Sequence, residues 1–144
     1  MDFTEAVRTV LTRKYATFSG RASRSEYWWF QLFYWLLVTT VGLPSIIIAA
    51  VFKADEIFFF ICILVGLLSL ATMVPIVALQ VRRFHDRNMS GWWYLGATIV
   101  GGVPVVGFLV WLAILVIFCM KGTDGPNRFG PDPLRPESSA EVFA

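Results

Sequence analysis

Three long stretches of this chain carry no charged side chain, and short polar segments separate them. The uncharged stretches are Tyr27–Phe52, Ile57–Val81 and Trp92–Met120, which contain 26, 25 and 29 residues. A helix needs about 20 predominantly apolar residues to cross the hydrocarbon core of a bilayer. The pattern therefore predicts an all-α membrane protein, built as a small bundle of transmembrane helices.

The third stretch is too long for one ordinary crossing. As a single straight helix, Trp92–Met120 would measure about 43 Å at about 1.5 Å per residue, against a hydrocarbon core of roughly 30 Å. Gly101-Gly102-Val103-Pro104 lies in its interior, where glycine and proline disfavour a continuous helix. We therefore predict four membrane helices, the last two forming a hairpin broken near Gly101–Pro104. Three helices, with the last one kinked, are the alternative.

An amphipathic pattern precedes the first uncharged stretch. Apolar residues recur at steps of three and four within Asp2–Thr17, which is the period of one helix face. Asp2 and Glu5 have the spacing of a helix-capping box. We predict an amphipathic helix in residues 1–20, lying either in the membrane interface or on the protein's own surface.

Local signals mark where the other elements begin and end. Ser23 and Glu26 form a capping box ahead of the first span, and Ser90 is a candidate N-cap for the third helical region. The second span is expected to end near Val81, which leaves Arg82–Trp93 as a loop. Residues 21–133 then form the membrane domain, with a turn-rich end, and residues 134–144 a disordered tail.

The distribution of lysine and arginine predicts the orientation. By the positive-inside rule, short loops rich in these residues lie in the cytoplasm. Basic residues are frequent before the first span, in the second loop and in the tail, whereas the first loop has only Lys53. The N-terminus is thus expected in the cytoplasm. A cytoplasmic tail requires an even number of crossings, which favours the hairpin.

This topology brings three polar segments to one membrane surface, where they form a candidate site. One interpretation is an ion-pair and capping network that only fixes the helix ends. The other is an anion site for phospholipid headgroups or a phosphate-bearing ligand, since arginine matches phosphate geometry and basic residues are attracted to anionic leaflets. The candidate residues are Arg21, Arg24, Glu26, Arg82, Arg83, His85, Asp86, Asn127, Arg128 and Asp132.

Catalysis and transport have weaker support. His85 and Asp86 are the candidates for an acid–base pair, in a small membrane enzyme acting on a phosphorylated lipid. No nucleophile motif or metal-ligand cluster accompanies them, and the sequence indicates no cofactor. The uncharged stretches lack the ionisable groups that ion pathways usually need, although an oligomeric transporter or channel component remains an alternative.

The predicted topology and the basic polar segments also indicate which partners to expect. They are the lipid bilayer, with anionic phospholipids among its components, and a second copy of the chain or another membrane protein. We expect no nucleic-acid partner and no resident metal.

Three motifs occur in the order of a known family. They are Arg21-x-Ser23-Arg24-x-Glu26-Tyr27-Trp28, Arg82-Arg83-x-His85-Asp86 with Ser90-Gly91-Trp92-Trp93, and Gly122-x-x-Gly125-x-Asn127-Arg128-Phe129-Gly130-x-Asp132-Pro133. From about Phe18 to Pro133 the chain resembles the DUF805 family of small bacterial inner-membrane proteins. The resemblance implies a location in the bacterial cytoplasmic membrane. It brings no activity, cofactor or catalytic residue.

Overall fold

The computed structural model describes residues 1–52 and 55–135. Within these ranges every regular element is helical, which confirms the predicted all-α class; the number of membrane crossings stays a prediction. The predicted first loop lies partly outside the described residues, and so does the disordered tail from residue 136 onward. The elements are α1 (Phe3–Arg8), a π-helical segment (Thr9–Arg13), α2 (Arg24–Phe52), α3 (Asp55–Asp86), α4 (Trp92–Gly101) and α5 (Pro104–Cys119).

Two of these helices are long and apolar enough to cross a membrane, α2 over Arg24–Ile48 and α3 over Phe58–Asp86. Only 0% and 11% of the residues in their most apolar windows are buried inside the protein. The core helix of a soluble protein would instead be largely covered. Because the outward apolar surface of α2 and α3 needs apolar surroundings, the chain is a helical membrane protein.

The predicted break in the third uncharged stretch is confirmed. Helix α4 ends at Gly101, and α5 begins at Pro104, where the missing proline N–H would have had no helical partner in any case. A side chain at Gly107 would collide with the carbonyl oxygen of Gly101, so glycine permits the close approach of the two helices. Helix α4 has 10 residues and is therefore about 15 Å long, half the thickness of a hydrocarbon core.

The N-terminal segment is shorter than predicted. Asp2 caps α1 by accepting a hydrogen bond of 2.8 Å from the Glu5 N–H, as its spacing indicates. The helix continues as the π-helical segment and ends at Lys14, whose backbone is no longer helical (φ −130°, ψ 34°), instead of reaching Thr17. The buried Ala6 and Val10 pack this segment against the protein itself.

Tyr15, immediately after the end of this segment, contacts α3. Its hydroxyl donates a hydrogen bond of 2.5 Å to the carbonyl oxygen of Ala71 in α3. Pro75 lies four residues further along and has no N–H to donate to that carbonyl. Tyr15 therefore supplies the donor that the proline removes, as neighbouring segments do for prolines in membrane helices.

Helix α3 continues to Asp86 instead of ending near Val81, so the first part of the predicted loop is helical. The arginines of this last turn can be helical and buried because each has an acidic partner. Asn88 then ends the helix in a left-handed conformation (φ 58°), which asparagine tolerates better than most residues.

Ser90 is not the N-cap of α4. That position belongs to Gly91, which makes no side-chain cap. A Cβ at Gly91 would lie 2.6 Å from Val81 Cγ1, so glycine lets the start of α4 contact α3. Ser90 is one residue too early, and its hydroxyl accepts only a long bond of 3.4 Å from the Trp92 N–H.

Candidate functional site

The polar end of the molecule is where α2 begins and α3 and α5 end. Asp86, in the last turn of α3, lies at its centre and is 3% exposed. Arg21 donates from Nε to Asp86 Oδ1 at 2.9 Å, and Arg83 pairs with Oδ2. One carboxylate thus joins the segment before α2 to the end of α3.

Arg83 also holds the end of α5. Its Nη2 donates to the carbonyl oxygen of Phe118 at 3.0 Å and to that of Met120. The last carbonyls of a helix have no partner within the helix, and a cation there also opposes the negative end of the helix dipole. The guanidinium of Arg83, 0% exposed, therefore connects α3 to α5.

Arg82 and Glu26 form a separate buried pair between α3 and α2. Arg82 Nη1 donates to Glu26 Oε1 at 2.5 Å. Arg82 Nε and Nη2 have no hydrogen-bond partner among the described residues. Together with the trio around Asp86, this pair completes what we call the buried network: Arg21, Glu26, Arg82, Arg83 and Asp86.

Only one of the two hydrogen bonds of the predicted capping box at Ser23 and Glu26 is formed. Its N–H donates to Ser23 Oγ at 3.2 Å, so Ser23 caps α2 as predicted. The carboxylate of Glu26 does not return to the Ser23 N–H, because it is directed at Arg82. A local capping signal therefore also encodes a tertiary ion pair.

The tail after α5 folds over this network as an ordered series of turns. Thr123 contributes both its N–H and its hydroxyl to the carbonyl oxygen of Asp86, at 2.8 and 3.1 Å. Asn127 donates to the carbonyl oxygen of His85 at 2.9 Å. Gly122 has no space for a side chain, which would collide with the Asp86 carboxylate.

Arg21 is the residue that ties this tail to the rest. In addition to Asp86, it donates to the carbonyl oxygens of Gly125 and Thr123 at 2.6 and 2.5 Å. Asp132 closes the turns by accepting from the Gly125 N–H at 3.2 Å. Arg21 and Asp132 come from distant segments of the sequence, and both hold the same turns around Gly125.

His85 is adjacent to Asp86 in sequence but does not pair with its carboxylate. Its Nδ1 lies 3.1 Å from the carbonyl oxygen of Gly20. A carbonyl can only accept, so Nδ1 carries the proton. The ring stacks on Phe129, with 3.9 Å between centroids and 3° between planes. The predicted acid–base pair is therefore not assembled in this structure.

The interior of the polar end has little free space. A cavity of about 20 Å³ is bordered by Arg21, Asp86, Thr123 and Asp132. A water molecule needs about 10–15 Å³ by the same measure, so the cavity has room for about one water. In the described part of the chain, no group of three or more His, Cys, Asp or Glu side chains could hold a metal ion.

The remaining candidates, Arg24 and Arg128, are exposed at the surface. Arg24 makes no side-chain hydrogen bond or ion pair within the ranges that the structure describes. Arg128 donates to the carbonyl oxygen of Asn88 at 3.0 Å and lies 4.6 Å from the centre of the Phe129 ring. These two guanidiniums remain accessible where those of the buried network do not.

Several residues that contact the polar end could not be predicted from the sequence, because they act through backbone atoms, a hydroxyl or a ring face. Thr123, Phe129 and the carbonyl of Gly20 belong to this group. Among them, only Phe129 belongs to a motif that the sequence displays.

An exposed ion pair lies beside the buried network. Lys121 pairs with Asp124 at 2.6 Å, and this hydrogen bond and the lysine charge lower the pKa of the exposed Asp124 carboxyl.

Comparisons with known proteins agree with the motifs that build this end of the molecule. The profile described as "Protein of unknown function (DUF805)" matches residues 15–131. The chain belongs to the DUF805 family. This confirms the resemblance noted from the sequence.

Two curated relatives come from Escherichia coli K12. Inner membrane protein YhaI is 38% identical over 121 residues, which cover 84% of this chain and 89% of that protein. Inner membrane protein YhaH is 36% identical over 121 residues, covering 84% and 90%. No solved structure matches the chain significantly.

Proposed function

We propose that this protein is a non-enzymatic component of the bacterial inner membrane that binds anionic lipid headgroups through exposed basic side chains at its polar end. Its relatives are named inner membrane proteins. The positive-inside rule assigns the polar end and both termini to the cytoplasmic side. Helices α2 and α3 cross the bilayer, and the α4–α5 hairpin enters and leaves it on the cytoplasmic side.

The occupied donors and acceptors of the trio Arg21, Arg83 and Asp86 carry this proposal. Every guanidinium nitrogen of Arg21 and Arg83 already donates to a carboxylate or to a backbone carbonyl, and both side chains are buried away from a ligand. The ion pairs hold the helix ends together, and lipid headgroups are recognised by other, exposed residues. Asp86 is equally occupied, which leaves His85 without a carboxylate partner for acid–base chemistry.

The exposed basic side chains are suited to that recognition. Arg8 and Arg13 of the N-terminal segment are exposed, as is Arg24, and none of the three has a side-chain ion pair among the described residues. Phe3 packs edge-on against Trp29 at 5.9 Å, which holds this segment on the first turns of α2. Each basic residue near an anionic leaflet contributes about 1 kcal/mol of attraction.

The test uses the full-length protein reconstituted in phosphatidylcholine vesicles containing traces of spin-labelled lipid. We expect the protein to immobilise labelled phosphatidylglycerol in preference to labelled phosphatidylcholine. The preference should weaken in Arg13→Gln and Arg24→Gln, further in the double variant, and also with added salt because exposed charges are screened. Equal immobilisation of both lipids by the unaltered protein would refute lipid recognition.

A further inference from the structure

An open groove of about 460 Å³ lies between α3 and the first turns of α4. This volume is within the range of about 300–1,000 Å³ usual for ligand sites. Its walls include Val77 and Val81 from α3 and Tyr94 and Leu95 from α4. The groove runs from bilayer-facing helix surface up to the polar end.

The groove changes character at its upper end. His85 and Ser90 line it there, and the His85 ring stacks on Phe129. Arg128 is not among the residues that line the groove, but its guanidinium lies 4.6 Å from the centroid of the Phe129 ring on which His85 stacks. The charge of Arg128 is thus separated by one aromatic ring from His85, at the polar end of an otherwise apolar groove.

No negative charge opposes that cation within the groove. None of its lining residues is acidic, and the nearest carboxylate in sequence, Asp86, is bound by Arg21 and Arg83. A ligand with an apolar chain and an anionic head would match both ends. A second groove of about 420 Å³ between α4 and α5 is lined by apolar residues only and offers no such match.

We propose that the groove between α3 and α4 holds one anionic phospholipid from the surrounding leaflet. One acyl chain lies along Val81 and Leu95, and the phosphate interacts with Arg128 at the rim. This site deepens the proposed function by separating one retained lipid from the general attraction of lipids to exposed basic residues. Arg128 binds the retained lipid, whereas Arg13 and Arg24 attract anionic lipids in general.

The test is native mass spectrometry of the full-length protein in detergent, with phosphatidylglycerol added. We expect one retained lipid per chain. Arg128→Gln should raise the Kd for the lipid about fivefold, the equivalent of about 1 kcal/mol for one basic residue near a charged headgroup. Leu95→Trp should weaken retention more strongly, because the indole obstructs the part of the groove that the acyl chain occupies.

Two controls separate the site from the general surface. Leu109→Trp adds the same bulk at an exposed leucine outside the groove and should retain the lipid, as should Arg24→Gln. Equal retention by Leu95→Trp and Leu109→Trp would refute the groove, and so would displacement of the lipid by soluble glycerol phosphate at equal concentration. Retention that depends on Leu95 and Arg128, in a protein without headgroup preference in vesicles, would uphold the site and refute only the broader function.

Discussion

Arg83 and Arg24 lie at the same end of the molecule but in opposite surroundings. Arg83 is fully buried and donates to Asp86 and to carbonyls at the end of α5. Arg24, in the first turn of α2, is exposed and has no side-chain partner among the described residues. The difference shows that the number of arginines at a membrane surface does not reveal how many can bind a ligand.

The buried arginines are costly to desolvate, so their geometry must compensate for the cost. The Asp86 trio achieves this with backbone carbonyls as additional acceptors. The Arg82–Glu26 pair does so less completely, because two donors of Arg82 lack partners in the described chain. These two halves of the buried network should therefore respond differently to mutation.

The largest effect is expected for Asp86→Asn. The change leaves Arg21 and Arg83 buried without their shared countercharge, and losing one partner of a buried ion pair costs about 3–5 kcal/mol. Thermal unfolding of the purified protein in detergent should show a large fall in stability. The matched control is Asp124→Asn, which breaks only the exposed pair with Lys121 and should unfold like the original protein.

A smaller loss is expected for Glu26→Gln. Glutamine can still accept the bond from Arg82 Nη1 but lacks the charge, and a hydrogen bond to a charged group contributes about 1.5–3 kcal/mol. The double variant Glu26→Leu/Arg82→Met should recover most of this loss, since apolar residues often replace a buried pair without penalty. If the double variant were less stable than Glu26→Gln, the pair would be as indispensable as the Asp86 trio.

Tyr15→Phe tests a polar contact away from the network. It leaves the Ala71 carbonyl, on the exposed outer face of α3, without a donor; because lipid supplies none either, the change should cost about 1–3 kcal/mol. In a Pro75→Ala background the new N–H at residue 75 can satisfy that carbonyl, so the same tyrosine change should cost much less. Equal costs in both backgrounds, measured by thermal unfolding, would show that the hydroxyl does not compensate for the proline.

The smallest effect on stability is expected for Arg24→Gln. The side chain has no partner to lose, and surface substitutions of this kind usually stay within about 0.5 kcal/mol. Its unfolding temperature should match that of the unaltered protein while its preference for anionic lipid falls. A marked destabilisation would place Arg24 with the buried arginines and remove the contrast.

The sequence alone identified the two long apolar helices α2 and α3, the break at Gly101–Pro104, and the caps at Asp2 and Ser23. These features depend on apolar length and on contacts within a few residues, which a sequence displays directly. The same local reasoning misplaced the end of α3, because Asp86 is stabilised in the helix by partners from distant segments. It also assigned the α4 cap to Ser90, since the requirement for Gly91 comes from Val81 of another helix.

Only the tertiary structure divided the candidate arginines into buried and exposed ones. Arg21 and Arg24 are three residues apart and chemically equivalent in the sequence. Burial depends on whether the turns after α5 cover a side chain, as they cover Arg21. Those contacts join residues about 100 positions apart, so no local pattern encodes them. The sequence therefore located the polar end, and the fold decided which of its charges are buried and which stay exposed.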